Sequence, residues 1–172
     1  MSKLRVMCNT SPIIGLVSIN RLALLWQLFD EVILPEAVYN ELCADSVHHQ
    51  AEIKEVRECV SSGRLKVYQV KNADMVKALY GKLHYGELEV IVGAKELDIS
   101  LAIIDERAAR KMASEFLVDT IGILGILTLA KERGIMSQIK PDLDCLRANG
   151  YRISESLYQQ VLLKNGELCD RN

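Results

Sequence analysis

The chain has 172 residues, of which 49% are hydrophobic and 26% are charged, a balance that excludes a disordered, collagen-like or low-complexity protein. Its 21 basic and 23 acidic residues leave a formal net charge of −2, which excludes a strongly basic nucleic-acid binder but not a local basic patch. The 5 cysteines include no Cys-x-x-Cys pair, which favours a reduced cytoplasmic protein over a disulfide scaffold or a zinc module. The longest apolar run, 121–130, is about half as long as a membrane helix, so we expect no membrane partner.

Short β-favouring runs alternate with helical patterns along the chain. Strands are predicted at 4–8, 32–34, 65–70, 101–104 and 116–118. Helices are predicted to begin near Pro12, near Pro35 and just after Asp105, and to cover 22–29, 46–60, 73–81, 86–97, 122–133, 138–148 and 154–164. The two prolines suit the first turn of a helix, where a missing N–H costs nothing.

The alternation of strands and helices predicts a single α/β domain over 1–172, with three α/β/α layers and a mostly parallel central sheet. We expect residues 137–172 to form a C-terminal helical extension of the same domain. Apolar residues of this extension, such as Leu143, Leu157 and Leu162, have two alternative partners: the sheet of their own chain, or a second copy in a homodimer.

Polar residues stand where the predicted strands end, and ligands of a parallel sheet bind at that edge. Asn9 follows the first strand, and Asp105 follows the strand at 101–104. Glu41 lies in the helix after the second strand, and Glu87 begins a later helix. Carboxylates that share one cleft repel one another and need a cation. Open sites made of oxygen ligands favour Mg²⁺ or Mn²⁺, which hold phosphates and activate water.

Each of these residues also has an interpretation without chemistry. Asp105 is suited to cap the helix that follows it, and the run 9–11 is suited to cap the helix that holds Pro12. Glu41 and Glu87 fit well as solvent-exposed helix residues. Spacing alone therefore does not identify a nuclease.

Several motifs carry a more specific signal when their order is considered. Examples are Asn-Thr-Ser-Pro at 9–12, His-Tyr-Gly-Glu at 84–87 and Asp-Glu-Arg-Ala-Ala-Arg at 105–110. In order and spacing these motifs resemble those of PIN-domain proteins, and more narrowly a prokaryotic toxin-type (VapC-like) group of nucleic-acid-binding proteins. The matching stretches are 6–16, 32–42, 83–91, 103–110, 120–127, 139–144 and 150–154.

The resemblance implies an α/β/α nuclease in which three or four acidic residues bind one or two divalent ions for phosphodiester hydrolysis. The catalytic acids would be Glu41, Glu87 and Asp105. The metal ligands would be Asn9, Glu41, Glu87, Asp105 and, as an extra acid after the last strand, Asp119. In the family pattern the position of Asn9 holds an acid, so this amide brings an oxygen but no charge and should weaken metal binding.

Hydroxyl and basic side chains near these acids are the candidate substrate-binding residues. Thr10 or Ser11 matches the hydroxyl that orients the first metal ligand in the family. Arg107, Arg110 and Lys111 lie on the helix after the acidic motif, with the first and last four residues apart on one face. Two alternatives stay open for these cations: they bind RNA phosphates, or they neutralise the acidic cluster.

The acids and the resemblance together predict a divalent-metal-dependent ribonuclease, the toxin of a toxin–antitoxin pair. Its cofactor would be Mg²⁺ or Mn²⁺, its substrate RNA and its partner a small antitoxin protein. The alternative, which the amide of Asn9 favours, is a catalytically degenerate module that binds RNA or a protein partner.

Overall fold

Within residues 4–44 and 50–168, which the computed structural model describes, five parallel strands form one sheet. The strands are β1 (Arg5–Cys8), β2 (Glu31–Pro35), β3 (Leu65–Tyr68), β4 (Leu101–Ile103) and β5 (Asp119–Ile121). The helices are α1 (Thr10–Ser18), α2 (Leu24–Leu28), α3 (Glu36–Ala44), α4 (Gln50–Ser61), α5 (Ala73–Leu79), α6 (Tyr85–Glu96), α7 (Arg107–Glu115), α8 (Ile123–Glu132), α9 (Lys140–Ala148) and α10 (Glu155–Lys164). The predicted parallel α/β sheet is confirmed. The predicted helix at 46–60 is present as α4, and positions 46–49 lie outside the described residues.

β1 is the central strand of the order β3-β2-β1-β4-β5. The chain adds β2 and β3 on one side of β1, then crosses back and adds β4 and β5 on the other side. Because crossovers between parallel strands are right-handed, connections that run in opposite directions place their helices on opposite faces of the sheet. The strand order therefore reverses between β1 and β4, where the backbone N–H of Asn9 donates to the carbonyl of Ile103 at 3.0 Å.

The core is aliphatic, as the low aromatic content requires, and it fixes α6 against the sheet. Val6 and Met7 of β1 are fully buried, and α6 is buried along most of its length. Gly93 permits a close approach, since a Cβ there would lie 3.0 Å from Cε of Met7. The helix that carries Glu87 is thus held rigidly against β1, β2 and β4, the strands around the reversal point.

The last strand lies three residues later than its predicted position at 116–118. α7 continues to Glu115, and Leu117 turns the chain with a φ of 57° while its side chain is 84% exposed. The backbone N–H of Val118 donates to the carbonyl of Ala113 at 2.9 Å. These β-favouring residues are therefore used to close a turn, and the strand pairing begins only afterwards.

The predicted strand at 65–70 ends early, at Tyr68. The carboxylate of Glu96 at the end of α6 accepts the backbone N–H groups of Lys71 and Asn72 at 3.0 and 2.6 Å. Because these groups are bound to a side chain, the chain leaves the sheet at this point.

The C-terminal helices pack on their own chain. Leu143 and Leu146 of α9 and Leu162 of α10 are fully buried, while Leu157 stays partly exposed. Of the two alternatives for this extension, the buried leucines follow the first: they pack inside their own chain. Within the described ranges, no helix combines the length and the apolar composition needed to span a bilayer.

Candidate functional site

A cleft of about 870 Å³ opens at the carboxyl ends of β1 and β4, where the strand order reverses. The predicted site residues that line it are Asn9, Thr10, Ser11, Glu41 and Glu87. These positions are distant in sequence, and the parallel sheet brings them to one edge. This edge is where a doubly wound sheet binds its ligands.

Asn9 sits at the bottom of the cleft and is almost completely buried. It occupies the cap position of α1 with extended backbone angles, φ −87° and ψ 170°, yet within the described residues its side chain makes no capping hydrogen bond. The capping interpretation of this side chain is therefore wrong. Its amide oxygen is left available to a ligand in the cleft.

Glu41 is held at the cleft wall by a hydroxyl and by a glycine. The Thr10 hydroxyl donates to Oε2 of Glu41 at 2.6 Å, so Thr10 positions this carboxylate. A Cβ at Gly86 would lie only 2.6 Å from Oε1 of Glu41, so the start of α6 provides space that any side chain would fill. The Gly-Glu pair at the start of α6 thus accommodates one carboxylate of the cleft and supplies another.

Glu87 is buried, which contradicts its interpretation as a solvent-exposed helix residue. Its carboxylate accepts the backbone N–H of His84 at 3.0 Å across the first turn of α6. Burial raises the pKa of Glu87, the N–H and charge of His84 oppose this rise, and the nearby carboxylates of Glu106 and Glu41 add to it. A cation in the cleft would offset both the cost of desolvating the Glu87 carboxylate and its repulsion by the neighbouring carboxylates.

Asp105 follows β4 as predicted, but its side chain faces an adjoining cavity of about 610 Å³ instead of the cleft. It accepts the N–H of Ile123 at 2.9 Å and the hydroxyl of Tyr151, so it binds the start of α8 and does not cap α7. A Cβ at Gly122 would lie 2.6 Å from Oδ1 of Asp105. Burial raises the pKa of Asp105, and the hydrogen bonds from Tyr151 and Ile123 and the charge of Arg110 oppose this rise.

Glu106 is the acid that the sequence interpretation missed as a site residue. It caps α7 by position and lines both the cleft and the adjoining cavity, as does Ser11. Its signal in the sequence was its place directly after Asp105, at the end of a buried strand. The acids that reach the cleft are therefore Glu41, Glu87 and Glu106, together with the amide of Asn9.

These oxygen donors suit Mg²⁺ or Mn²⁺ by their chemistry, since they are hard and open to the cleft. In the described ranges, none of Glu41, Glu87 and Glu106 forms an ion pair with lysine or arginine, and no group of three or more acids, histidines or cysteines is already close enough to enclose a metal ion. The five predicted metal ligands are thus not gathered around a metal ion as these side chains stand in the described part of the chain.

Asp119, the predicted extra metal ligand, does not lie with the other acids. It is the first residue of β5 and pairs with Leu101, the first residue of β4. Its backbone N–H donates to the carbonyl of Ser100 at 2.8 Å. Because the strands are parallel, Asp119 lies at the amino-terminal edge of the sheet, opposite the cleft.

The three basic candidates on α7 separate into two groups. Arg110 lines the adjoining cavity, donates from Nε to the hydroxyl of Thr120 at 3.2 Å and opposes the rise in the pKa of Asp105, which supports the neutralising alternative for this residue. Arg107 and Lys111 are exposed and lie outside the linings of both cavities.

Comparison with known proteins gives one match. A family model described as DUF3368: PIN domain matches residues 5–167, a range that includes the whole sheet, the cleft and the C-terminal helices. No curated protein and no solved structure matches the chain.

Proposed function

The chain belongs to the PIN-domain family, and from this premise we propose that it is a divalent-metal-dependent ribonuclease with its active centre in the cleft beside α6. The family itself indicates a nuclease; the metal and the choice of RNA are our proposal. The observation that supports it most is the set of oxygen donors, Asn9, Glu41 and Glu87, that the reversal of strand order collects around one cleft.

The residues that would hold Mg²⁺ or Mn²⁺ are Asn9, Glu41 and Glu87, with Glu106 on the same wall. Such an ion polarises the scissile phosphate and activates water for in-line attack when it is bound. Within the chain, Thr10 keeps the Glu41 carboxylate turned into the cleft. The burial of Glu87 favours any state in which its charge is compensated.

Asp105 would act from behind the cleft. Its two hydrogen bonds to Tyr151 and Ile123 keep it in the adjoining cavity, where its charge lies close to the carboxyl end of β4. We propose that it contributes to metal affinity through its charge, or as a ligand after its side chain turns toward Glu106. Ser11 and Arg110 line this cavity, where Ser11 would meet the RNA backbone and Arg110 would compensate the charge of Asp105. We propose that Arg107 and Lys111, on the exposed face of α7, are further phosphate contacts.

The biological setting is also part of the proposal. We propose that the ribonuclease acts in the cytoplasm as the toxin of a toxin–antitoxin pair and that a small antitoxin protein binds it. A homodimer through the exposed Leu157 of α10 belongs to the same proposal. The second candidate function, a degenerate PIN module that binds RNA or protein without cleaving it, is favoured by the amide at Asn9.

One experiment distinguishes the nuclease from the binding module. Calorimetric titration with Mn²⁺ and cleavage of a single-stranded RNA are measured for the wild type, for Glu87→Gln and for Glu115→Gln, which removes an exposed carboxylate at the far end of α7. We expect Glu87→Gln to weaken Mn²⁺ binding about tenfold or more and to abolish cleavage, and Glu115→Gln to change neither. Equal Mn²⁺ affinities of the wild type and Glu87→Gln, or no cleavage by the wild type, would favour the binding module.

A further inference from the structure

Two exposed tyrosines stand together at the rim of the cleft. The side chains of Tyr80 and Tyr85 are 67% and 41% exposed, and both line the cleft. Their ring centroids are 6.4 Å apart with an angle of 62° between the ring planes. An edge-to-face pair of this kind leaves ring faces open to other partners. In a chain with only 5% aromatic residues, two large rings left in water beside a candidate site suggest a ligand.

The two tyrosines stand at the ends of two consecutive helices. Tyr80 is the C-cap residue directly after α5 and donates its N–H to the carbonyl of Lys77 at 3.1 Å, and Tyr85 is the first residue of α6. Gly81, with a φ of 96°, makes the turn between them, a conformation that glycine adopts at little cost. The rings are therefore carried by two helix ends, and one of these helices, α6, is fixed against the sheet.

The polar groups around the pair fit a nucleic-acid strand. Lys82 lies between the tyrosines in sequence, is exposed and lines the cleft, so its ammonium group is available to a phosphate. Glu87, which carries one of the cleft carboxylates, is only two residues after Tyr85 in the same helix. A strand that crosses the cleft would thus meet aromatic faces and a cation on one side of the acidic centre.

We propose that Tyr80 and Tyr85 form a stacking platform for unpaired nucleobases, and that it positions an RNA strand with its backbone across the acidic cleft. Aromatic faces stack on any exposed base, whereas the bases of a duplex are already stacked on one another. The platform therefore selects single-stranded segments with little preference for sequence. This inference rests on the proposed function for the identity of the ligand, and it assigns Tyr80 and Tyr85 as positioning residues that take no part in the hydrolysis.

The platform is tested by RNA binding in chelator, where metal-dependent cleavage does not interfere. The probe is a single-stranded RNA dodecamer with a central 2-aminopurine, whose fluorescence falls when the base stacks. We expect Tyr80→Ala to weaken binding about tenfold and to restore most of the fluorescence, and Tyr80→Phe, which keeps the ring, to bind within about twofold of the wild type. Leu163→Ala removes a 50% exposed apolar side chain from α10 and serves as the matched control without effect.

The possible results separate this inference from the proposed function. No RNA binding by the wild type, or equal affinities of the wild type and Tyr80→Ala with unchanged circular dichroism, would overturn the platform. If binding depends on the ring but no variant cleaves RNA with Mn²⁺, the platform stands and the nuclease proposal fails. If cleavage occurs but binding and fluorescence are unaffected by Tyr80→Ala, only the platform is overturned.

Discussion

At the scale of single residues, Asn9 brings a neutral amide to a cleft that the acids Glu41, Glu87 and Glu106 also line. We expect Asn9→Asp to tighten Mn²⁺ binding by about 10- to 100-fold, or roughly 1–3 kcal/mol. A charge pair at ~4 Å is worth about 4 kcal/mol at an effective dielectric near 20, and repulsion from Glu41 and Glu87 together with desolvation offsets part of this gain. The same repulsion should lower the stability of the mutant in chelator and increase its stabilisation by metal. Calorimetric titration and thermal melts measure both effects.

A matched control for this change lies on α3. Asn40→Asp adds the same charge at an exposed position next to Glu41 in sequence, outside the lining of the cleft. Because solvent and salt screen an exposed charge, we expect Mn²⁺ affinity to change by about twofold at most. Equal affinities of the wild type and Asn9→Asp would mean that position 9 does not face a metal, and would move the proposal to the binding module.

The adjacent acids Asp105 and Glu106 show which part of the site could be predicted from the sequence and which part could not. The strand ends predicted that acids would meet at one edge, and Glu41 and Glu87 do so. Which of two adjacent acids enters the cleft was not predictable, because successive residues of an extended chain point to opposite sides. Asp105 binds the start of α8, and Glu106 reaches the cleft. That choice depends on Tyr151, a residue 46 positions further along the chain.

At the scale of elements, the turn between α7 and β5 carries backbone strain. Leu117 has a φ of 57° and is 84% exposed. Its left-handed conformation therefore costs free energy that no packing of the side chain offsets. We expect Leu117→Gly to raise the free energy of unfolding by up to about 1 kcal/mol, since glycine adopts this φ freely while losing some chain entropy. Urea denaturation measures the change.

The control for the turn is the same substitution in a helix. Leu163 of α10 is also exposed, and Leu163→Gly should lower the free energy of unfolding by about 1 kcal/mol because glycine is a poor helix former. If both glycine variants destabilise the protein equally, the turn at Leu117 carries no strain that glycine relieves.

The junction between β3 and α5 depends on one carboxylate and should depend on pH. Burial tends to raise the pKa of Glu96, but the N–H groups of Lys71 and Asn72 and the hydroxyl of Tyr68 outweigh it and lower the pKa below 4.5. A carboxyl whose folded-state pKa is lowered stabilises the protein above its unfolded-state pKa and loses that contribution as the pH falls through its folded-state pKa.

We therefore expect Glu96→Gln to lower the free energy of unfolding by at most about 1 kcal/mol at pH 7, because solvent screens this carboxylate, and this difference from the wild type to shrink steadily below about pH 4.5. Urea denaturation at a series of pH values measures it. Glu115→Gln, at an exposed site, should show no such pH-dependent difference. A difference that stays constant down to pH 3 would contradict the role assigned to the ionised carboxylate.

At the scale of the whole molecule, the fold was predictable because its signals are periodic and repeated. Apolar runs that alternate with helical patterns indicate a buried parallel sheet, and the right-handed crossover rule then limits the arrangement. The strand at 116–118 was misplaced because its β-favouring residues serve a turn, and a turn is determined by hydrogen bonds such as that from Val118 to Ala113. Local propensity does not contain that information.

The C-terminal helix α10 has one face in the core and one face in solvent, and two neighbouring leucines test this difference. Leu162 of α10 is fully buried, whereas its neighbour Leu163 is 50% exposed. We expect Leu162→Ala to lower the free energy of unfolding by about 2–4 kcal/mol, since it leaves a cavity, and Leu163→Ala to change it by under about 0.5 kcal/mol. Urea denaturation at two protein concentrations measures both. If α10 instead serves mainly as a dimer surface, Leu163→Ala will destabilise the protein as well, the unfolding midpoint will rise with protein concentration, and sedimentation will detect a dimer that this variant loses.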